Sequence, residues 1–213
     1  MFKAIIFDLD GVLVHTDRLN YESWKELADR LDIPFDEQVN NRMRGVSRSE
    51  SLDVLLEQSR RTYSPEEKQS LADGKNKAYC ARIEAMTPGD LSGEVRETLD
   101  ELRARGFLLA VGSSSKNCPL ILERIGLGTF FDAVADGNHI TRSKPDPEVF
   151  LKAAQYLGVP PSQALVVEDA DAGIQAAHDG GFAGAAIGPA RQSPLADYRL
   201  ERFSDLLGLT GLC

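Results

Sequence analysis

The chain has 213 residues, a formal net charge of −9 and 42% hydrophobic residues, which is enough for one large core or for a core with a smaller insertion. The acidic charge argues against a surface that binds nucleic acid or an acidic membrane, because both need clustered Lys and Arg. Three cysteines without metal-ligand spacing argue against a disulfide framework, and no stretch is apolar enough for export or membrane anchoring. We therefore predict a cytoplasmic protein without nucleic-acid or membrane partners.

The N-terminal segment has the pattern of a buried strand that ends in two aspartates. Residues 4–7 are all apolar, which is typical of a parallel strand covered on both faces. Asp8 and Asp10 follow directly, so we expect both carboxylates at the carboxyl edge of a sheet, where α/β proteins bind ligands. Taken alone, the pair is equally consistent with an acidic turn around Gly11.

The following segment, residues 15–87, contains helical patterns and no convincing strand. Ser47 with Glu50, and Ser64 with Glu67, both have capping-box spacing. The predicted helices span residues 18–31, 49–58 and 65–86. We predict that residues 15–87 form a helical cap domain inserted into a core domain of residues 1–14 plus 88–213.

The rest of the chain alternates between short apolar runs and helical patterns. The predicted strands span residues 107–111, 133–135, 164–167 and 183–187. The predicted helices span residues 94–105, 117–125, 147–157 and 172–179. This alternation predicts an α/β fold with a doubly wound parallel sheet and right-handed crossovers.

Polar residues follow two of these later strands. The first group is Ser113-Ser114-Ser115-Lys116-Asn117, which offers hydroxyls, backbone amides and a helix N-terminus to a phosphate, although a serine cap in a polar loop is the simpler interpretation. The second group, Glu168 and Asp169, is another acidic pair. Because both groups and Asp8 end parallel strands, we expect them to meet at one crevice, and such an oxygen-rich site suits Mg²⁺.

Lys144 precedes two prolines, Pro145 and Pro147, which restrict the backbone and favour a helix start. Most surface lysines have no specific role. A lysine held near several carboxylates would keep Asp8 ionised and would neutralise charge on a transferring phosphoryl group.

Taken together, these residues resemble the haloacid dehalogenase superfamily over nearly the whole chain. The core matches are Asp8-Leu9-Asp10-Gly11, Ser113, Lys144-Pro145 and Glu168-Asp169. Within the superfamily the chain is similar to the β-phosphoglucomutase family. The more specific matches are Gly45-Val46-Ser47-Arg48, Gly74-Lys75-Asn76, Ser113 to Asn117 and Glu168 to Ile174.

This resemblance implies an Mg²⁺-dependent isomerase that interconverts β-D-glucose 1-phosphate and D-glucose 6-phosphate through an aspartyl phosphate and a β-glucose 1,6-bisphosphate intermediate. By the same resemblance Asp8 is the nucleophile, Asp10 the general acid and base, and Ser113 and Lys144 assist the transfer. The implied metal ligands are Asp8, Asp10 through its backbone carbonyl, Glu168 and Asp169. The implied substrate-binding residues are Gly45, Val46, Ser47, Arg48, Lys75, Ser114, Ser115, Lys116 and Asn117.

Two residues at the cap entry depart from the β-phosphoglucomutase pattern. His15 stands where the family has Asp, and Asn20 where it has His. Both departures bear on the hinge, on the position of Asp10 and on which sugar phosphate is preferred. The expected partner is a small-molecule sugar phosphate, bound by a monomer whose cap closes on hinges near residues 15 and 80–88. Two alternatives are a sugar-phosphate phosphatase of the same superfamily and a non-catalytic phospho-acceptor module, although the latter needs neither Asp10 nor a cap.

Overall fold

The computed structural model of the chain describes residues 2–43 and 46–209. Within these ranges the strands form one parallel sheet in the order β3-β2-β1-β4-β5-β6. The strands are β1 Ala4–Phe7, β2 Leu108–Gly112, β3 Ala133–Ala135, β4 Ala164–Glu168, β5 Ala183–Ile187 and β6 Tyr198–Leu200. The helices are α1 Asp17–Arg30, α2 Glu37–Asn41, α3 Arg48–Leu56, α4 Pro65–Glu84, α5 Gly93–Ala104, α6 Cys118–Arg124, α7 Glu148–Leu157 and α8 Asp171–Asp179. The predicted doubly wound α/β fold is thereby confirmed.

The centre of the sheet is β1, whose four residues are completely buried. It pairs with β2 on one side and β4 on the other, with Phe7 opposite both Val111 and Val167. Apolar side chains on one face of the sheet pack against α5 and α6, and those on the other face pack against α7 and α8. This register brings the carboxyl ends of three strands side by side, and the residues that follow them share one edge.

Helices α1–α4 lie in the segment between β1 and β2. They enclose an apolar cluster of their own around Trp24, Leu27, Leu52 and Leu55. The last turns of α4 behave differently, because Tyr79 and Ile83 pack with the apolar side chains of the sheet. The proposed division into a cap and a core therefore stays a prediction, and α4 connects the two apolar clusters.

Two short elements were not expected from the sequence. The strand β6 has three residues at the edge of the sheet, and α2 has five residues with Asp36 as its N-cap. Both are too short to show a hydrophobic period, so their formation depends on neighbouring elements. No helix of the described ranges is long and apolar enough to cross a membrane.

Candidate active site

A crevice of about 840 Å³ opens between the carboxyl edge of the sheet and helices α1, α3 and α4. Its floor carries Asp8 and Asp10 after β1, Ser113 after β2 and Asp169 after β4. Its opposite wall carries Arg48 and Lys75 from the inserted segment. These are the strand-end and cap residues that the sequence singled out, and they border a single space.

Lys144 is buried beside the floor of the crevice and connects two of its carboxylates. Its side chain is completely buried, and its Nζ lies 2.5 Å from Asp8 Oδ1 and 2.5 Å from Glu168 Oε1. Although burial opposes the charge, the two carboxylates raise the pKa of Lys144 above its ordinary value. The ammonium therefore stays charged, and it fixes Asp8 and Glu168 relative to each other.

Three carboxylates meet beside this lysine. One oxygen from each of Asp8, Glu168 and Asp169 lies within 4.8 Å of the others, and all three residues are buried. If all three are ionised, their charge of −3 and the +1 of Lys144 leave −2 in a buried space, which a divalent cation would balance. Carboxylate oxygens are the ligands that Mg²⁺ prefers, so this donor set fits that ion.

The other oxygen of Glu168 accepts hydrogen bonds from the backbone amides of Asp169 and Ala170, at 2.9 and 3.0 Å. Burial raises the pKa of Glu168, while Lys144 opposes that rise. Gly173 allows this packing, because a Cβ there would lie 1.9 Å from Glu168 Oε1. Gly11 does the same for Asp169: a Cβ would lie 2.2 Å from Oδ2, and the φ of +90° also favours glycine.

The carboxyl group of Asp10 has a different environment. It accepts a hydrogen bond from the buried hydroxyl of Thr16, at the start of α1. Burial of the carboxyl and the nearby charge of Asp8 raise the pKa of Asp10 to about 7, although the Thr16 hydrogen bond opposes the rise. Such a group can hold or release a proton near neutral pH, which is the property a general acid and base needs.

The loop after β2 offers several hydrogen-bond donors to the crevice. Ser113 is buried, and its Oγ accepts from the backbone amide of Ser115 at 3.1 Å. The Oγ of Ser114 is buried and makes no hydrogen bond within the described residues. Lys116 is exposed at the crevice wall. A hydroxyl without a hydrogen-bond partner in the described residues and an exposed lysine of the same crevice suit an anion such as phosphate.

The wall opposite this loop is formed by the start of α3. Val46, Ser47 and Arg48 all line the crevice, whereas Gly45 lies outside the described residues. The hydroxyl and backbone amide of Ser47 both bond to the Glu50 carboxylate, at 2.5 and 2.8 Å. Ser47 therefore acts as a helix cap in this arrangement, and Arg48 remains as the cation for an anionic ligand.

Lys75 lies deeper in the same wall, with 4% of its surface exposed. Its ammonium group stands 4.5 Å from the ring centres of both Trp24 and Tyr79, and it donates a hydrogen bond to the side chain of Asn20. Burial, followed by the charge of Arg48, lowers the pKa of Lys75 to about 7. Trp24 is a core residue of the inserted segment, as its helical spacing predicted.

Two contacts of the site were not predicted from the sequence. Thr16 precedes a helix and has the pattern of an N-cap, yet its hydroxyl bonds to Asp10 instead. Asn76 belongs to the Gly74-Lys75-Asn76 motif, but its contact with Asn117 has no sequence signal, because the two residues are 41 positions apart.

Comparisons with known proteins agree with this geometry. A model of the haloacid dehalogenase-like hydrolase family matches residues 2–181. The chain is 38% identical to a β-phosphoglucomutase of Bacillus subtilis, over 96% of this chain and 91% of that protein. It is 30% identical to a phosphorylated carbohydrates phosphatase of Thermotoga maritima, over 84% of this chain and 82% of that protein.

The fold agrees as well. A crystal structure of β-phosphoglucomutase from Clostridium difficile superposes with a TM-score of 0.91 at 33% identity, covering 97% of this chain and 93% of that one. The family match over residues 2–181 includes the strand ends that carry the carboxylates, and both sequence relatives extend over most of the chain. The chain therefore belongs to the haloacid dehalogenase-like hydrolase family, as an enzyme related to phosphoglucomutases and sugar-phosphate phosphatases.

Proposed function

We propose that the chain is a β-phosphoglucomutase that interconverts β-D-glucose 1-phosphate and D-glucose 6-phosphate, acting as a monomer in the cytoplasm. The observation that carries the proposal is the pairing of Asp8 with Lys144 beside an Asp10 whose pKa is about 7, under a wall that presents Arg48. The 38% identity to the Bacillus subtilis β-phosphoglucomutase over nearly the whole chain supports the same choice.

Asp8, Glu168 and Asp169 would hold Mg²⁺, together with the backbone carbonyl of Asp10. When bound, the ion would neutralise charge on the phosphoryl oxygens and help to align the phosphorus with its nucleophile. Lys144 supplies a fixed positive charge to the same region from a buried position. Ser113 and the neighbouring orphaned hydroxyl of Ser114 are available as hydrogen-bond donors.

In the first half-reaction an oxygen of Asp8 attacks the phosphorus of the bisphosphate, and the bond between phosphorus and the sugar oxygen breaks. Asp10 gives its proton to that sugar oxygen as it leaves. In the second half-reaction Asp10 takes a proton from a sugar hydroxyl, which attacks the phosphorus of the aspartyl phosphate and releases Asp8. A group with a pKa of about 7 can serve in both directions.

The phosphate that is not transferred would bind the opposite end of the crevice. Ser115, Lys116 and Asn117 come from the core side, and Arg48 offers a planar fork to the phosphate oxygens from the inserted segment. We infer that residues 15–87 act as a lid, with Val46 and the ammonium of Lys75 completing the sugar site. Closure would exclude water from the aspartyl phosphate, which a mutase must protect.

A phosphatase is the second candidate, because a relative with 30% identity is a phosphorylated carbohydrates phosphatase. The two activities share the first half-reaction and differ only in the acceptor, which is a sugar hydroxyl or water. Asn20 makes the distinction worth testing, because it stands where the family has histidine. Within the described residues, its side chain is the only hydrogen-bond acceptor of Lys75.

The test is a phosphorus NMR time course with β-glucose 1-phosphate, a trace of the 1,6-bisphosphate and Mg²⁺. We expect glucose 6-phosphate to accumulate, with little inorganic phosphate, and the Asp8→Asn variant to form neither. Inorganic phosphate as the main product would reject the mutase in favour of the phosphatase. Undiminished turnover by Asp8→Asn would reject the nucleophile. Lys77→Met, which changes an exposed lysine that does not line the crevice, serves as a control that should keep native turnover.

A further inference from the structure

The side chain of Asn117 makes contacts that its position does not predict. It is the N-cap residue of α6, where an asparagine normally accepts from a backbone amide of its own helix, but it makes no such bond. Its Nδ2 instead donates to Asn76 Oδ1 at 2.8 Å, and its Oδ1 accepts from Cys80 Sγ at 3.6 Å. Both ends of the amide are therefore engaged by α4, across the boundary between the inserted segment and the sheet.

The two partners occupy one face of α4. Asn76 and Cys80 are four residues apart, so they lie one turn above each other. The adjacent pair on that helix, Lys75 and Tyr79, faces the crevice wall through the ammonium-ring contact. One turn of α4 thus presents the buried cation to the crevice and also holds the side chain of Asn117.

These contacts orient the side-chain amide of Asn117, with its nitrogen toward Asn76 and its oxygen toward Cys80. Asn76 Oδ1 can only accept, so it requires the nitrogen end of Asn117, whereas the thiol of Cys80 donates to the oxygen end. The Asn117 nitrogen carries two hydrogens, and the contact with Asn76 uses one of them. The second hydrogen remains for another acceptor, and the crevice beside Ser115 and Lys116 is lined by the same residue.

We propose that Asn76, assisted by Cys80, is a positioning residue that orients the Asn117 amide so that its second hydrogen meets the non-transferred phosphate. This inference rests on the proposed function, because that phosphate is part of the proposed substrate. It also links the inserted segment to the phosphate loop, since α4 carries both Asn76 and Lys75.

The first test compares steady-state kinetics of Asn76→Leu, which removes the acceptor at similar size, with the native protein. Because the variant lacks one ordinary hydrogen bond, KM for β-glucose 1-phosphate should rise about fivefold while kcat changes by less than about twofold. Cys80→Ala should raise KM by about twofold at most, since the thiol is a weak donor. The control is Lys77→Leu, which changes the next residue of the same helix; Lys77 is exposed and does not line the crevice, so both constants should stay unchanged.

A double-mutant cycle with Asn117→Ala separates positioning from general packing. If Asn76 acts through Asn117, the double variant should have the KM of Asn117→Ala alone, within about twofold. Multiplying effects would show that Asn76 acts independently, and an Asn76→Leu protein with native KM would show that it does not act at all. Either result would overturn the proposal.

The final readout does not depend on turnover. The side-chain amide signals of Asn117, assigned by their loss in Asn117→Ala, should move upfield in Asn76→Leu, which removes the acceptor, and should not move upfield in Asn76→Asp, which retains an acceptor. In the native protein they should also shift on addition of inorganic phosphate. If glucose phosphates are not converted, the proposed function fails on its own, while unchanged amide signals in Asn76→Leu would reject the positioning role.

Discussion

Replacement of Lys144 by methionine should destabilise the protein strongly, because it removes the cation and leaves its buried partners. The ammonium contacts Asp8 and Glu168 at 2.5 Å each, and none of the three residues is more than 7% exposed. Removal of one member of a buried ion pair costs about 3–5 kcal/mol. For a chain of this size that corresponds to a fall in the melting temperature of about 6–20 °C.

The stability lost in Lys144→Met should depend on pH. Burial raises the pKa of Glu168 and Lys144 opposes it, so loss of Lys144 should raise this pKa further. The folded variant then binds a proton more tightly than its unfolded chain does, and its stability increases as the pH falls. The deficit relative to the native protein should therefore be largest near about pH 8 and smaller near about pH 5.5.

Urea unfolding of Lys144→Met and the native protein at these two pH values measures the effect. The control is Lys116→Met, which removes an exposed lysine of the same crevice and should change the free energy of unfolding by less than about 0.5 kcal/mol. A Lys144→Met protein that is as stable as the native one at the higher pH, or that loses further stability on acidification relative to it, would refute the reasoning.

Three further predictions concern single residues of the site. Burial lowers the pKa of Lys75 to about 7, whereas an unfolded lysine titrates at about 10.4. The free energy of unfolding of the native protein should therefore increase as the pH rises from the first value to the second. Urea titrations of Lys75→Met should lack that gain, and parallel pH curves would contradict the assignment. Gly11→Ala places a Cβ 2.2 Å from Asp169 Oδ2 at a positive φ, so it should lower the free energy of unfolding by more than about 1 kcal/mol. It should also weaken Mg²⁺ binding, measured by calorimetry, and a native affinity would count against the metal site. Thr16→Val removes a hydrogen bond that lowers the pKa of Asp10, so this pKa should rise. The basic limb of the pH–rate profile should then move to higher pH, and an unmoved limb would show that Asp10 is not the titrating group.

Much of the fold could be predicted because its strands are locally distinctive. Residues 4–7 and 164–167 are apolar at every position, and buried parallel strands need that composition. Once these strands are parallel neighbours, the residues after them must share an edge. Asp8 and Glu168 therefore meet although they lie 160 positions apart, and Lys144 joins them over 136 positions from Asp8.

The contacts of individual polar side chains could not be predicted in the same way. Thr16 and Asn117 both precede helices, and at such positions the local pattern favours a cap. Their actual partners, Asp10 and Asn76, are selected by tertiary packing that leaves no periodic trace in the sequence. Ser47 shows the reverse case, because its capping box with Glu50 was visible in the sequence and is present in the structure.

The central claim is that Asp8 receives the phosphoryl group, and mass spectrometry of acid-quenched protein tests it most directly. After brief incubation with glucose 1,6-bisphosphate and Mg²⁺, we predict that one phosphoryl group is recovered on the peptide that contains Asp8, and that borohydride reduction marks this residue. Asp8→Asn should carry none under the same conditions. Recovery of the phosphoryl group on Asp10 or Ser113, or equal labelling of Asp8→Asn, would contradict the account.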